Sequence, residues 1–166
     1  MTLQNLLQAG ADDSVAISAP GRTPLDHRGL RALVAATTAS LNAAGIGRND
    51  RVAIVLANGP EMATCFLACA NAVTSAPLNP AYRADEFEFY LTDLEAKALI
   101  VERASTSPAV DAARKLGVQL IELGVDDGAA AGYFSLQVQE AAAPCGHGGP
   151  AQADDVAMVL HTSGTT

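Results

Sequence analysis

The stretch "DRVAIVLANGPEMATCFLACANAVTSAPLN" (residues 50–79) decides the fold. Its first part, "DRVAIVLAN" (50–58), is a continuous apolar run of strand length. Such a run suits a strand covered on both faces. In "PEMATCFLACANAV" (60–73), Met62, Cys65, Phe66, Cys69, Ala70 and Val73 fall on one helical stripe. Pro60 fits the first helical position, and Glu61 suits the positive end of the helix. "TSAPLN" then reads as a second short strand. Strand, helix and strand in this order predict a parallel crossover unit.

Working outward, the same alternation continues. "SVAISAPG" (14–21) is a short apolar run ended by Pro20 and Gly21, a strand with a turn. Leu30, Leu33, Val34, Thr37, Leu41 and Ala44 keep helical spacing, and Gly45 stands where that helix should stop. "ADEFEFYLTDLEA" (84–96) puts Phe87, Tyr90, Leu91 and Leu94 on one face, with Asp85 and Glu86 in the first turn. "KALIVE" (97–102) and "VQLIEL" (118–123) are strand-like. Between them, "SPAVDAARKLG" (107–117) has Ser107 and Pro108 as a start, Gly117 as a stop, and Asp111 one turn from Lys115. The region from 124 to 155 is loose, with a short helix expected at 132–140 and then a Gly/Pro-rich connector. "VAMVLH" (156–161) is the last expected strand. The fold class is therefore α/β, a mainly parallel sheet with crossover helices.

Composition narrows the functions. The 166 residues are 49% hydrophobic and carry a net charge of −8. That is a globular composition, and its acidity argues against nucleic acid or an anionic membrane surface as partner. No window is long and apolar enough for a membrane span, and the N-terminus has no signal-peptide pattern. Cys65, Cys69 and Cys145 form no framework spacing, which fits a reduced, cytoplasmic protein. Cys65 and Cys69 could ligate a metal, but no further ligands stand at zinc-like spacing, and core packing is the preferred reading. Met62 and Phe66 are expected in the core. "CGHGG" (145–149) reads as a connector, and His27 as a structural contact.

One stretch carries chemistry. "VLHTSGTT" (159–166) runs an apolar strand into Thr162, Ser163, Gly164, Thr165 and Thr166. Gly164 can adopt backbone angles closed to other residues. Successive amides in such a turn can form a nest for anionic oxygens, and the hydroxyls add donors. The pattern is not a Walker A loop, since "GxxxxGK" is absent. Taken alone, the five residues read first as an ordinary polar turn. His161, directly before them, either touches a ligand or fixes the loop.

The surroundings point further. "DDVAMVLHTSGTT" (154–166) resembles the phosphate-binding motif of the adenylate-forming superfamily, which includes acyl- and aryl-CoA synthetases, luciferases and the adenylation domains of peptide synthetases. "GIGRNDRVAIVLANGPEM" (45–62) resembles that family's first strand–helix passage, with Asn49 where Gly is usual. "FLACANAVTSAPLNPAYRADEFEFYLTDLEAKALI" (66–100) resembles the next passage, with its Pro-Leu-Asn-Pro turn. Within the superfamily the chain looks most similar to oxalate–CoA ligases and related short acyl-CoA synthetases.

The resemblance implies an ATP-dependent carboxylate–CoA ligase. A carboxylic acid would form an acyl adenylate and pyrophosphate, and coenzyme A would then displace AMP. Mg²⁺ would bridge phosphate oxygens. Thr162, Ser163, Gly164, Thr165 and Thr166 would bind the ATP phosphates. No metal-ligating or catalytic side chain is assigned within the chain. The family motif continues with Gly-x-Pro-Lys-Gly, so residues 1–166 are expected to be the N-terminal part of the large AMP-binding domain, without the small C-terminal domain. Such a piece is expected to be inactive alone and to self-associate through exposed sheet edges. The alternatives are an adenylation domain or luciferase-like member of the superfamily, or a non-catalytic interaction module.

Overall fold

The computed structural model describes residues 2–138 and 143–161. A short helix α1 (Leu3–Leu7) precedes an antiparallel pair, β1 (Val15–Ile17) and β2 (Leu25–Asp26). Helix α2 (His27–Ala43) follows at once, its first turn capped by the Asp26 carboxylate, which accepts a bond of 2.7 Å from the Gly29 N–H. Gly45 ends it in the left-handed region, at φ 81°. Then come β3 (Arg51–Val55), α3 (Pro60–Ala72), β4 (Thr74–Pro77), α4 (Ala84–Asp93), β5 (Ala98–Glu102), α5 (Pro108–Leu116), β6 (Gln119–Gly124) and β7 (Ser135–Val138).

The main sheet has the order β4-β3-β5-β6-β7, parallel except for β7. Alternate residues of the central strands point to opposite faces. Val52, Ile54, Ala98, Ile100 and Ile121 join α2 and α3 in one core. Ala53, Val55, Leu99, Val101 and Leu120 join α4 and α5 in the other. Each strand is thus apolar without alternation because both of its faces are covered. The chain leaves β3 toward β4 and returns past it to β5, so the strand order reverses between β3 and β5. In open α/β sheets that reversal opens a crevice at the carboxyl ends of the strands. Here it is a space of ≈ 370 Å³ bordered by Asn58, Glu61, Glu102 and Arg103.

Three expectations need correction. The helix expected at 132–140 is strand β7 over its described part, paired antiparallel with β6. Its cause is period-two burial: Phe134 is buried, and Leu136 and Val138 pack against the core while Ser135 and Gln137 face out. Phe66 is only half-buried. Helix α3 turns its small residues Thr64, Ala68 and Ala72 inward instead, as close packing demands. Lys115 does not pair with Asp111. Its ammonium reaches Glu88 on α4 at 2.7 Å, and Asp111 meets Arg114 at 3.4 Å.

Candidate functional site

Residues 143–161 form a strap that returns across the molecule and delivers the chain to the hydroxyl–glycine residues. It starts on α2. The Cys145 N–H donates to the Asn42 carbonyl at 3.0 Å, and the Gly149 N–H donates to Asn42 Oδ1 at 2.6 Å. The Arg48 N–H donates to the His147 carbonyl at 2.9 Å. Gly47 is needed under that contact, because a Cβ there would stand 2.6 Å from the His147 carbonyl oxygen. "CGHGG" is thus a pinned connector. Among the described residues, no three His, Cys, Asp or Glu side chains gather as metal ligands. Cys65 and Cys69 are buried and free, as core packing required. The Cys69 thiol beside it, and its own burial, push the Cys65 thiol up. His27 begins α2, where its ring packs against Gly10, a structural contact as expected.

The strap next turns at Asp155. One carboxylate oxygen accepts from the Gln152 N–H at 2.7 Å, and the other accepts from Asn49 Nδ2 at 2.8 Å. Arg48 stands 3.3 Å away. The Gln152 N–H, then Asn49 and then the Arg48 charge hold this carboxyl below the usual aspartate range, against the opposing effect of burial. Asn49 also accepts the Val156 N–H through Oδ1, at 2.9 Å. One amide therefore grips two consecutive residues. Asn49 sits at φ 65°, in the left-handed region. Glycine enters that region freely, and Asn enters it more readily than most residues. Asn49 can therefore stand where the resemblance led to an expectation of glycine, and its side chain adds two bonds.

Past this clamp the chain runs parallel to β4 on the edge away from β3. The Ser75 N–H donates to the Ala157 carbonyl and the Val159 N–H donates to the Ser75 carbonyl, both at 3.0 Å. Thr74 Oγ1 donates to the Val156 carbonyl at 2.8 Å. The expected strand "VAMVLH" is thus reduced to one bridge, Met158 against Ser75. Val159 packs on the α4 side, while Val156, Met158 and Leu160 are exposed. His161 closes the described segment. Its Nε2 lies 3.1 Å from Asp93 Oδ2, and its ring rests on Tyr90 with centroids 4.6 Å apart. Thr162, Ser163, Gly164, Thr165 and Thr166 lie outside the described residues.

The chain as a whole is similar to known proteins. A family model described as AMP-binding enzyme matches residues 7–166, and the chain belongs to that adenylate-forming family. It is 37% identical over 175 residues to an oxalate–CoA ligase of Arabidopsis thaliana, covering 99% of this chain and 33% of that protein. It is 35% identical over 177 residues to a probable CoA ligase of Humulus lupulus, covering 100% of this chain and 33% of that protein. Among solved structures, apo MatB from Rhodopseudomonas palustris is similar with a TM-score of 0.74, at 26% identity over 99% of this chain and 33% of that one. The chain spans about a third of the length of the curated relatives it matches. Among the described residues, no helix is long and apolar enough to cross a membrane.

The sequence located the segment but not what holds it. Asn42, Asn49, Thr74 and Asp93 were not singled out for these contacts. Asn49, standing where the resemblance led to an expectation of glycine, was the one readable signal. The other contacts join residues far apart in the chain, and no local pattern announces them.

Proposed function

We propose that residues 1–166 are the N-terminal portion of the large AMP-binding domain of an ATP-dependent carboxylate–CoA ligase. A small carboxylic acid attacks the α-phosphorus of ATP and pyrophosphate leaves. The thiol of coenzyme A then displaces AMP, giving the thioester. Thr162, Ser163, Gly164, Thr165 and Thr166 hold the β- and γ-phosphates as pyrophosphate departs, by positioning and by hydrogen bonds to developing charge. Mg²⁺ arrives with the nucleotide as part of the substrate and offsets phosphate charge. The observation that supports this reading is the strap: Asp155 to Val159 is clamped parallel to β4, a few residues before the Thr162–Thr166 stretch to which this reading assigns the phosphates.

The same proposal places the protein in the cytoplasm, supported by three free cysteines. It also holds that this chain alone does not catalyse the reaction, and that it self-associates. Met158 and Leu160 carry no charge and stand exposed on a sheet edge, which suits pairing with a second copy.

The test is ATP–pyrophosphate exchange. The reading frame continued past Thr166 to the length of the relatives should encode Gly-x-Pro-Lys-Gly next, and its product should exchange pyrophosphate in the presence of one acid from a panel that includes oxalate. The 166-residue chain should show none. A long product that forms a thioester without consuming ATP overturns the proposal, and so does a natural stop codon after Thr166.

A further inference from the structure

We propose that His161 is a positioning residue, docked on α4 through Asp93 and Tyr90, which fixes the point and direction from which the chain enters Thr162–Thr166. The inference rests on the reading of those residues as a phosphate loop. Of the two roles the sequence left open for His161, touching the ligand or holding the loop, these contacts favour the second.

The imidazole is already engaged on the protein side. Nε2 faces the Asp93 carboxylate at 3.1 Å, the contact that the Nε2-protonated ring makes as donor to an acceptor-only carboxylate. The ring meets Tyr90 with centroids 4.6 Å apart and planes tilted by 58°. Nδ1 is enclosed and has no hydrogen-bond partner among the described residues. Only 18% of the side chain is exposed. The nitrogen that makes a polar contact among the described residues therefore makes it to the protein.

The platform beneath the ring is firm. Tyr90 stacks on Tyr82 with centroids 4.8 Å apart, and Tyr82 meets Phe87 edge-on at 5.8 Å. Phe87 is fully buried in the core under α4. On the other side, the Val159 N–H makes the last bond to β4, and only Leu160 separates it from His161. The chain is therefore fixed twice within three residues. A loop that must meet phosphate oxygens gains from such a start, since misplacement by about 1 Å can lower a rate as much as a hundredfold.

Two measurements test this. In the 166-residue chain, long-range ¹⁵N–¹H NMR should show His161 protonated on Nε2. Asp93→Ala should shift the backbone amides of 162–166 and leave those of β3, β5 and β6 unmoved. If the 162–166 amides do not respond, the inference is wrong. In the enzyme extended to the length of its relatives, Asp93→Ala and His161→Ala should each lower kcat for ATP–pyrophosphate exchange about tenfold with KM for the acid unchanged. His161→Gln, which can still donate to Asp93, should recover most of the loss. Loss with His161→Ala but not with Asp93→Ala would mean that the ring touches substrate, and would overturn positioning. If the unsubstituted long enzyme shows no exchange, the ligase reading fails, while the amide measurement still decides the role of His161.

Discussion

Two nearly identical strings flank β4. "VAIVL" (52–56) belongs to β3 on one side, and "VAMVL" (156–160) belongs to the strap on the other. In the first, Val52, Ala53 and Ile54 are completely buried, and the strand is bonded to β4 and β5. In the second, Val156, Met158 and Leu160 remain 51%, 49% and 53% exposed, and the pairing is a single bridge. Composition is therefore not what holds a strand in place. Residues 52–56 are held by apolar area buried on two faces. Residues 156–160 are held by polar bonds, from Asn49 and Asp93 at the two ends and from Thr74 and Ser75 between them. A core strand has to be stable. The second segment is located rather than buried, and polar bonds along one edge do this without covering its outer face.

The largest expected effect breaks the first string. Ile54→Ala opens a cavity where two layers of side chains meet, and should destabilise the fold by about 2–5 kcal/mol in urea unfolding. A loss below about 1 kcal/mol would mean that the centre of the sheet is not the cooperative core.

Next comes the clamp at the start of the strap. Asn49→Ala removes both amide bonds and leaves a residue ill suited to φ 65°. The expected cost is about 1–2 kcal/mol. Asn49→Gly relieves the backbone but not the lost bonds, and should fall between wild type and Ala. If Gly equals Ala, the side-chain bonds carry the whole effect. If Gly equals wild type, only the backbone angle matters.

This clamp also shows what the sequence revealed and what it hid. Strands β3, β5 and β6 were legible because a run such as "ALIVE" (98–102) needs both faces covered, which local composition reports. The ends of α2 and α5 were legible because Gly45 and Gly117 adopt the left-handed angles that stop helices, 81° and 69°. Strand β7 was hidden by an Ala- and Gly-rich setting, although Phe134, Leu136 and Val138 alternate. The strap was hidden for a different reason. Its partners Asn42, Asn49, Thr74 and Asp93 are polar surface-type residues, ordinary until the fold brings them beside residues 145–161. The family motif could still be read, because it lies in one continuous stretch.

A smaller effect should follow from pH. The Asp155 carboxyl is held below its ordinary range when folded. Its contribution is present above the unfolded aspartate value of about 3.9 and is lost as pH falls through the lower folded value. On acidification, the Gln152 and Val156 amides and the Asn49 side chain should titrate together, with a midpoint below that of an unfolded aspartate. The β3 amides should not follow at that midpoint. A midpoint at or above the unfolded value, or concerted loss of β3, would show that the clamp does not act locally.

The smallest effect is expected in the second string. Met158 is the counterpart of Ile54, yet its side chain is half exposed and covers little. Met158→Ala should change stability by under about 1 kcal/mol, as surface substitutions do. Met158→Lys should be tolerated as well, because the ammonium can stay in water, and a charge on an unpaired edge opposes strand-to-strand association. Sedimentation should then show wild-type chain associating and Met158→Lys monomeric at equal stability. Were Met158→Ala to cost as much as Ile54→Ala, residues 156–160 would belong to the core after all, and holding by polar bonds would no longer distinguish the two strings.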